Sequence, residues 1–161
     1  MDVLDAVRGR RNMKQFKPDP ISEEKILEWF ETAKLAPNHR MTEPWEIRFV
    51  GPKTRQNLGH KPNFGDAPIV IAILSKAGNS PIERDENLIS TACFVQNFLL
   101  LAHREGVGAR WTSIGGTPAG REVLGVSDDF IVVGVFGVGY PEEIPAQKAR
   151  SPIGEKTVHL P

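Results

Sequence analysis

The sequence predicts a mixed fold of helices and strands gathered in one globular domain over residues 1–161. Three observations carry that expectation. Pro68 to Leu74 is a continuous β-branched and aliphatic run that reads as a central strand covered on both sides, and Phe130 to Val138 is a further strongly strand-like run. Glu83 to Glu105 is apolar on more than one helical face, as expected of a helix buried in a core or a subunit interface. The chain has 161 residues, 40% of them hydrophobic, enough for one domain with a real core, since domains commonly run about 100 to 150 residues.

Each element follows from local physics. Asp2 to about Gly9 forms a short helix with Val3, Leu4 and Val7 on one side, and Asp2 complements the positive helix start. Ser22 is placed to cap a second helix, in which Ile26, Leu27, Phe30, Ala33 and Leu35 keep helical spacing until Pro37 stops it. Trp45, Ile47 and Phe49 alternate with Glu46 and Arg48, which predicts a strand with one buried face. Gly51 to Ala67 holds a short helix near Arg55 and then a Gly/Pro/Asn loop. Gly106-Val107-Gly108 ends the long helix, Ala109 to Ser113 enters a strand, and Ala119 to Leu124 is a short helix before the Phe130 run. Residues 142–161 have three prolines and little periodicity, so they are expected to be disordered or laid over another surface.

Charge and cysteine content exclude several classes of function. Lys plus Arg and Asp plus Glu are 20 each, so no global field steers the chain toward nucleic acid or an acidic membrane. Cys93 is the only cysteine, which rules out an internal disulfide framework and suits a reducing compartment. Met1 to Ala6 carries two aspartates where a signal peptide would begin its apolar core, and no apolar run approaches the roughly 20 residues of a membrane span. A soluble, cytoplasmic protein is expected.

Glycine-based phosphate motifs fail, because neither Gly106-Val107-Gly108 nor Gly137-Val138-Gly139 continues to a third glycine at dinucleotide spacing. Four dispersed histidines give a metal site little support. Charge does concentrate at the exit of the first helix: Arg8, Arg10, Arg11, Lys14 and Lys17 fall between Asp5 and Asp19 with no acid among them. An extended backbone there would point Arg10, Asn12 and Lys14 the same way, offering a guanidinium, an amide and an ammonium to a phosphate-bearing ligand. The same cations could simply complement the helix macrodipole. His39 could be a solvated residue past a helix end, Trp45 and Trp111 core aromatics, and Lys148 and Arg150 ordinary tail charges.

The motifs occur together in one order. They are Arg10-Arg11-x-x-Lys14-x-Phe16, Ala36-Pro37-Asn38-His39-Arg40-Met41-Thr42-Glu43-Pro44-Trp45, Ala67-Pro68, Gln96-Asn97, Gly106-x-Gly108-x-x-Trp111 and Gly139-Tyr140-Pro141. Over essentially the whole chain this resembles the small members of the FMN-dependent nitroreductase family. The resemblance implies an α+β fold, with a mixed and mainly antiparallel sheet flanked by helices, in an intertwined homodimer with two FMN sites at its interface. It implies that Arg10, Arg11 and Asn12 line the phosphate and ribityl side of FMN and that Lys14 approaches the pyrimidine edge. Asn38 and His39 would come from the other subunit, Trp111, Thr112 and Ser113 would flank the flavin, and Arg150 with Lys148 would close on the phosphate. The 142–161 extension would reach over the partner.

The implied activity is ping-pong reduction of nitroaromatic, quinone or similar acceptors by NADH or NADPH, with no side chain acting as nucleophile. Rival readings of the resemblance are a flavin-dependent dehalogenase, a flavin-consuming oxygenase and a non-catalytic FMN-binding redox module. Asn12 stands where the family usually has Ser, while Thr112 and Leu35 stand where some relatives have Arg. The Gly51 to Ala67 connection is short where larger members insert substrate-covering helices, so an open pocket is expected.

Overall fold

A sheet of four strands in the order β1-β2-β4-β3 organises the molecule, each neighbouring pair antiparallel. The computed structural model describes residues 1–161. In chain order the elements are α1 (Val3–Gly9), α2 (Glu23–Ala33), β1 (Trp45–Phe49), α3 (Pro52–Leu58), β2 (Ile69–Lys76), α4 (Pro81–Arg104), β3 (Gly108–Thr112), α5 (Pro118–Leu124) and β4 (Phe130–Gly139). The architecture is α+β. Parallel pairing is confined to a single bridge, Asn12 to Ala109.

The two β-branched runs pair with each other in the middle of the sheet, from Ile69 opposite Val138 to Lys76 opposite Phe130. One face carries Ile71, Ile73, Phe136 and Val138, packed against Ile26, Phe30, Phe94 and Phe98 of α2 and α4. The Phe98 ring lies 4.6 Å from that of Phe30, and Trp45 stacks on Phe94 at 4.9 Å. The opposite face carries Val70, Ala72 and Val135 under Leu58, Phe64 and Leu124. Burying each such aliphatic or aromatic side chain contributes about 1.5–3 kcal/mol, so the doubly covered central strands hold the sheet together. No helix is long and apolar enough to cross a membrane.

Ser22 caps α2 as expected, while Asp2, expected inside the first helix, is instead the N-cap of α1. Asp2 Oδ1 accepts from the Asp5 N–H at 2.8 Å, and Ser22 Oγ accepts from the Lys25 N–H at 3.2 Å. Helix α2 nevertheless ends at Ala33, before Pro37, with the Lys34 N–H closing on the Phe30 carbonyl. Leu35 lies beyond the end and is exposed, Leu27 is also exposed, and Trp29 fills the buried face. Val3, Leu4 and Val7 on α1 are exposed as well. Helix α1 approaches α4 closely at Gly9, where a Cβ would sit 2.6 Å from His103 Nε2.

A third, small cluster of Met13, Phe16 and Ala67 anchors the segment that follows α1. The Met13 N–H donates to the Ala109 carbonyl, and the Phe16 N–H donates to the Gly65 carbonyl. The basic run is thereby tied along the outer edge of β3. Residues 142–161 carry only a 3-10 turn at Ile153–Lys156 and are exposed apart from the half-buried Pro145.

Candidate functional site

The chain leaves α1 in extended conformation at Arg10, and Met13 turns inward to be buried. Arg10, Asn12 and Lys14 therefore line one cavity of about 400 Å³, together with Arg8 and Arg11. Its other wall is the segment after Pro145, which contributes Gln147, Lys148 and Arg150. Six cations, Arg8, Arg10, Arg11, Lys14, Lys148 and Arg150, and no acid line this space. None of the six forms a salt bridge in the chain. Burial first, then the charges of Arg11 and Arg150, pull the Arg10 guanidinium below its ordinary pKa. Like charges crowded in this way gain from an anion between them.

Arg11 divides its guanidinium between the two roles open to it. Its Nη1 donates to the carbonyls of Arg8 at 2.5 Å and Arg10 at 2.9 Å, capping the α1 C-terminus. Its Nε is buried without a partner, the one such side-chain atom in the structure. An unpaired buried donor is costly, and this one belongs to a residue that lines the cavity.

Asn12 fastens the site to the sheet, because its Oδ1 accepts the Trp111 N–H at 2.8 Å. Trp111 itself is 40% exposed, lies against Phe136 and donates Nε1–H to the Val133 carbonyl. The Thr112 hydroxyl donates to the Val135 carbonyl at 3.1 Å, so its proton is committed to β4. Ser113 follows at the start of a 3-10 turn with no side-chain capping bond. Neither Thr112 nor Ser113 lines the cationic cavity.

Asn38 and His39 also lie away from it. His39 lines a separate cavity with Glu86 and Asn87, and its Nε2 stands 3.5 Å from the Glu86 carboxylate. Asn38 Oδ1 accepts the Glu43 N–H at 3.0 Å, across a turn in which Arg40, Met41 and Glu43 all have positive φ. Such conformations are uncommon for these residue types and are concentrated at functional sites. Within one chain, then, the Arg10 to Lys14 run and Lys148 with Arg150 come together, while Asn38 and His39 stand apart.

Several neighbours have no signature in sequence. His103 of α4 packs on Gly9, and burial, then Arg10 and Arg11, hold its imidazole below the usual pKa. Arg110 Nη1 donates to the Lys14 carbonyl at 2.7 Å. His60 Nδ1 accepts the Phe64 N–H, and burial, then Arg110, lower its pKa. His103 and Arg110 reach the basic run across the fold, and only its three-dimensional packing brings them there.

A larger cavity, of about 540 Å³, opens beside Asp128, Asp129 and Glu83. It mixes acids with Lys76, so its lining carries both signs of charge, and its buried Asn87 is already bonded to Thr42 and to the Lys76 carbonyl. No group of three His, Cys, Asp or Glu side chains could hold a metal ion.

Comparison with known proteins places this arrangement. The Nitroreductase family model matches residues 7–60 and 48–140. YfhC of Bacillus subtilis (strain 168), provisionally named an NAD(P)H nitroreductase, is 31% identical over 98% of this chain and 94% of its own length. A nitroreductase-like family protein from Bacillus cereus superposes with a TM-score of 0.89 at 27% identity, covering 99% of this chain and 96% of that one. A provisionally named nitroreductase from Exiguobacterium sibiricum 255-15, solved in complex with FMN, has the same fold, with a TM-score of 0.87 at 18% identity over 99% of this chain and 98% of that one. The cationic cavity and the four-stranded sheet that supports it belong to a member of the nitroreductase family.

Proposed function

We propose that this chain is an FMN-dependent oxidoreductase that uses NADH or NADPH to reduce nitroaromatic, quinone or similar acceptors, in a ping-pong cycle. The observation that carries the reading is the cavity with six cations, no acid and the unpartnered Arg11 Nε. A phosphate ester brings about two negative charges and several acceptor oxygens, which is the complement of that lining. The residues present therefore fit FMN. The FMN-bound relative of the same fold and the NAD(P)H nitroreductase name of YfhC support the same choice of cofactor and donor.

FMN, when bound, supplies the hydride and electron transfer, and the protein supplies position and field. Arg10, Arg11, Lys148 and Arg150, which line the cavity, would hold the phosphate. The Asn12 NH2, which makes no hydrogen bond within the chain, would be a donor for the ribityl portion, while its Oδ1 keeps the segment on β3. Lys14 favours negative charge at the pyrimidine edge, because a fixed cation in a partly dry site acts more strongly than one in water. Trp111, Thr112 and Ser113 form the sheet-side flank, through packing and backbone rather than through the Thr112 hydroxyl.

The same reading makes the protein a homodimer of single-domain chains in the cytoplasm, a compartment that suits the lone free Cys93. Asn38 and His39 complete the site of the other copy, since they lie outside their own chain's cationic cavity. Val3, Leu4 and Val7 of α1, Ile82 and Ile89 of α4, and Val158 and Leu160 of the tail are exposed in the single chain and supply apolar surface for the partner. Light scattering at micromolar concentration should give twice the chain mass; a monomer that still binds FMN would overturn the two-chain site.

Turnover is tested by mixing the FMN-loaded protein with NADH or NADPH, first alone and then with a nitroaromatic or quinone. Consumption of nicotinamide coupled to the acceptor is expected. Deiodination of an iodoaryl substrate or destruction of the flavin under oxygen would instead identify one of the rival enzymes, and a yellow protein indifferent to both nicotinamides would identify a binding module.

A further inference from the structure

Lys14 is held in place by more of the fold than a surface lysine needs. Its carbonyl lies against Gly65, which has φ +70, and a Cβ at that position would overlap the Lys14 oxygen. The residue before it is bonded to Ala109 and the residue two after it to Gly65. The remaining contact is different in kind: the half-buried Arg110, in the middle of β3, donates Nη1 to the Lys14 carbonyl at 2.7 Å. This is the only side-chain hydrogen bond Arg110 makes, and no carboxylate pairs with it. Its β4 neighbour is Gly137, whose lack of a side chain lets the Phe64 backbone approach and cover this face. The nearby His60 adds no negative charge, since an imidazole is either neutral or cationic.

A neutral amide could make the same bond to one carbonyl. The bond to Lys14 alone therefore does not call for a permanent charge, and no carboxylate of the chain pairs with the one that is present. The function that gains from the extra charge lies on the cavity side of Lys14.

We propose that Arg110 is a positioning residue of the flavin site: it fixes the Lys14 peptide and sets a second permanent positive charge behind it, raising the site's preference for reduced over oxidised FMN. The proposal rests on the FMN reading above. It involves no chemistry at Arg110 and no contact between Arg110 and the phosphate, since the cationic cavity stops at Lys14.

The test uses FMN-loaded wild type, Arg110→Gln and Arg110→Lys, with the midpoint potential measured against indicator dyes and the affinity for oxidised FMN measured by flavin fluorescence. Arg110→Gln should keep oxidised FMN affinity within about threefold. It should lose roughly tenfold of the preference for reduced FMN, a fall of about 30 mV for a two-electron couple. Arg110→Lys, which keeps the charge, should recover most of that shift. An unchanged potential in Arg110→Gln overturns the proposal, as does a fall in Arg110→Lys as large as that in Arg110→Gln. Should Arg110→Gln not fold, Arg110→Lys decides alone, with a potential near wild type expected and a tenfold loss contradicting it. Wild type that takes up no FMN overturns the flavin reading itself, whereas flavin-loaded variants of unaltered potential overturn only the role of Arg110.

Discussion

Replacing Arg10 with Gln removes one cation from a cavity that holds six and keeps a neutral side chain of comparable length. In the free protein Arg10 is disfavoured by burial and by the like charges of Arg11 and Arg150. Its removal should leave the apoprotein as stable as wild type or more so. Binding should respond with the opposite sign. A hydrogen bond to a charged partner contributes about 1.5–3 kcal/mol net, which corresponds to roughly 10- to 150-fold in affinity. Coulomb attraction at about 4 Å and an effective dielectric near 20 sets an upper scale of about 4 kcal/mol for each pair of unit charges. FMN titration by fluorescence quenching, paired with urea unfolding of the apoprotein, reads both quantities. Weaker FMN binding combined with an unchanged or raised unfolding midpoint is expected. An affinity within twofold of wild type, or a clearly less stable apoprotein, would refute the reasoning that Arg10 is held in place for an anion.

Further predictions concern the supports of the site. Lys14→Ala in the FMN-loaded protein should lower the flavin potential and slow reduction by NAD(P)H; stopped-flow reduction at the wild-type rate with an unshifted potential would count against it. Gly65→Ala puts a Cβ at φ +70 against the Lys14 carbonyl and should cost about 2 kcal/mol or more, read as a lower urea midpoint and weaker FMN binding together. Phe98→Ala empties a fully buried position between Phe30 and Trp29 and should cost about 3–5 kcal/mol in chemical denaturation. His103 has a folded pKa below its unfolded value, so the unfolded chain binds the proton more readily. Apoprotein stability is thus complete above the unfolded histidine pKa, near 6.5, and declines as pH falls through that value toward the folded one. Urea midpoints at stepped pH should show this decline, His103→Gln should reduce it to the share that His60 contributes by the same sign, and saturating FMN should reduce it by compensating Arg10 and Arg11.

Much of this architecture could be read locally. Pro68 to Leu74 announces itself because a strand covered on both faces needs an unbroken apolar run, and both faces of β2 are indeed packed. The Ser22 cap depends on residues three apart, so it too is visible in sequence. The order β1-β2-β4-β3 was not visible in local patterns, since nothing in a strand's own residues names its neighbour. Helix α2 shows the limit of periodicity: Leu27 and Leu35 look like core residues yet are exposed, while Trp29 is buried.

The site divides in the same way. A run of cations without an acid is legible as an anion-binding candidate or a helix cap, and Arg11 in the fold serves the cap while leaving Nε free. That Lys148 and Arg150 share its cavity followed only from the family resemblance, because the tail has no periodicity to position it. Arg110 and His103 were invisible as partners of that run, being joined to it through tertiary contacts with Lys14 and Gly9.

The central claim, that the cationic cavity holds the phosphate end of a redox-active FMN, is tested most directly by the visible spectrum of the purified protein. The spectrum is recorded after equilibration with FMN and removal of excess, and again after anaerobic addition of NADH or NADPH. The account predicts retained flavin absorption near one FMN per chain that bleaches on addition of a nicotinamide. A colourless protein that fails to retain FMN at saturating concentration would contradict it.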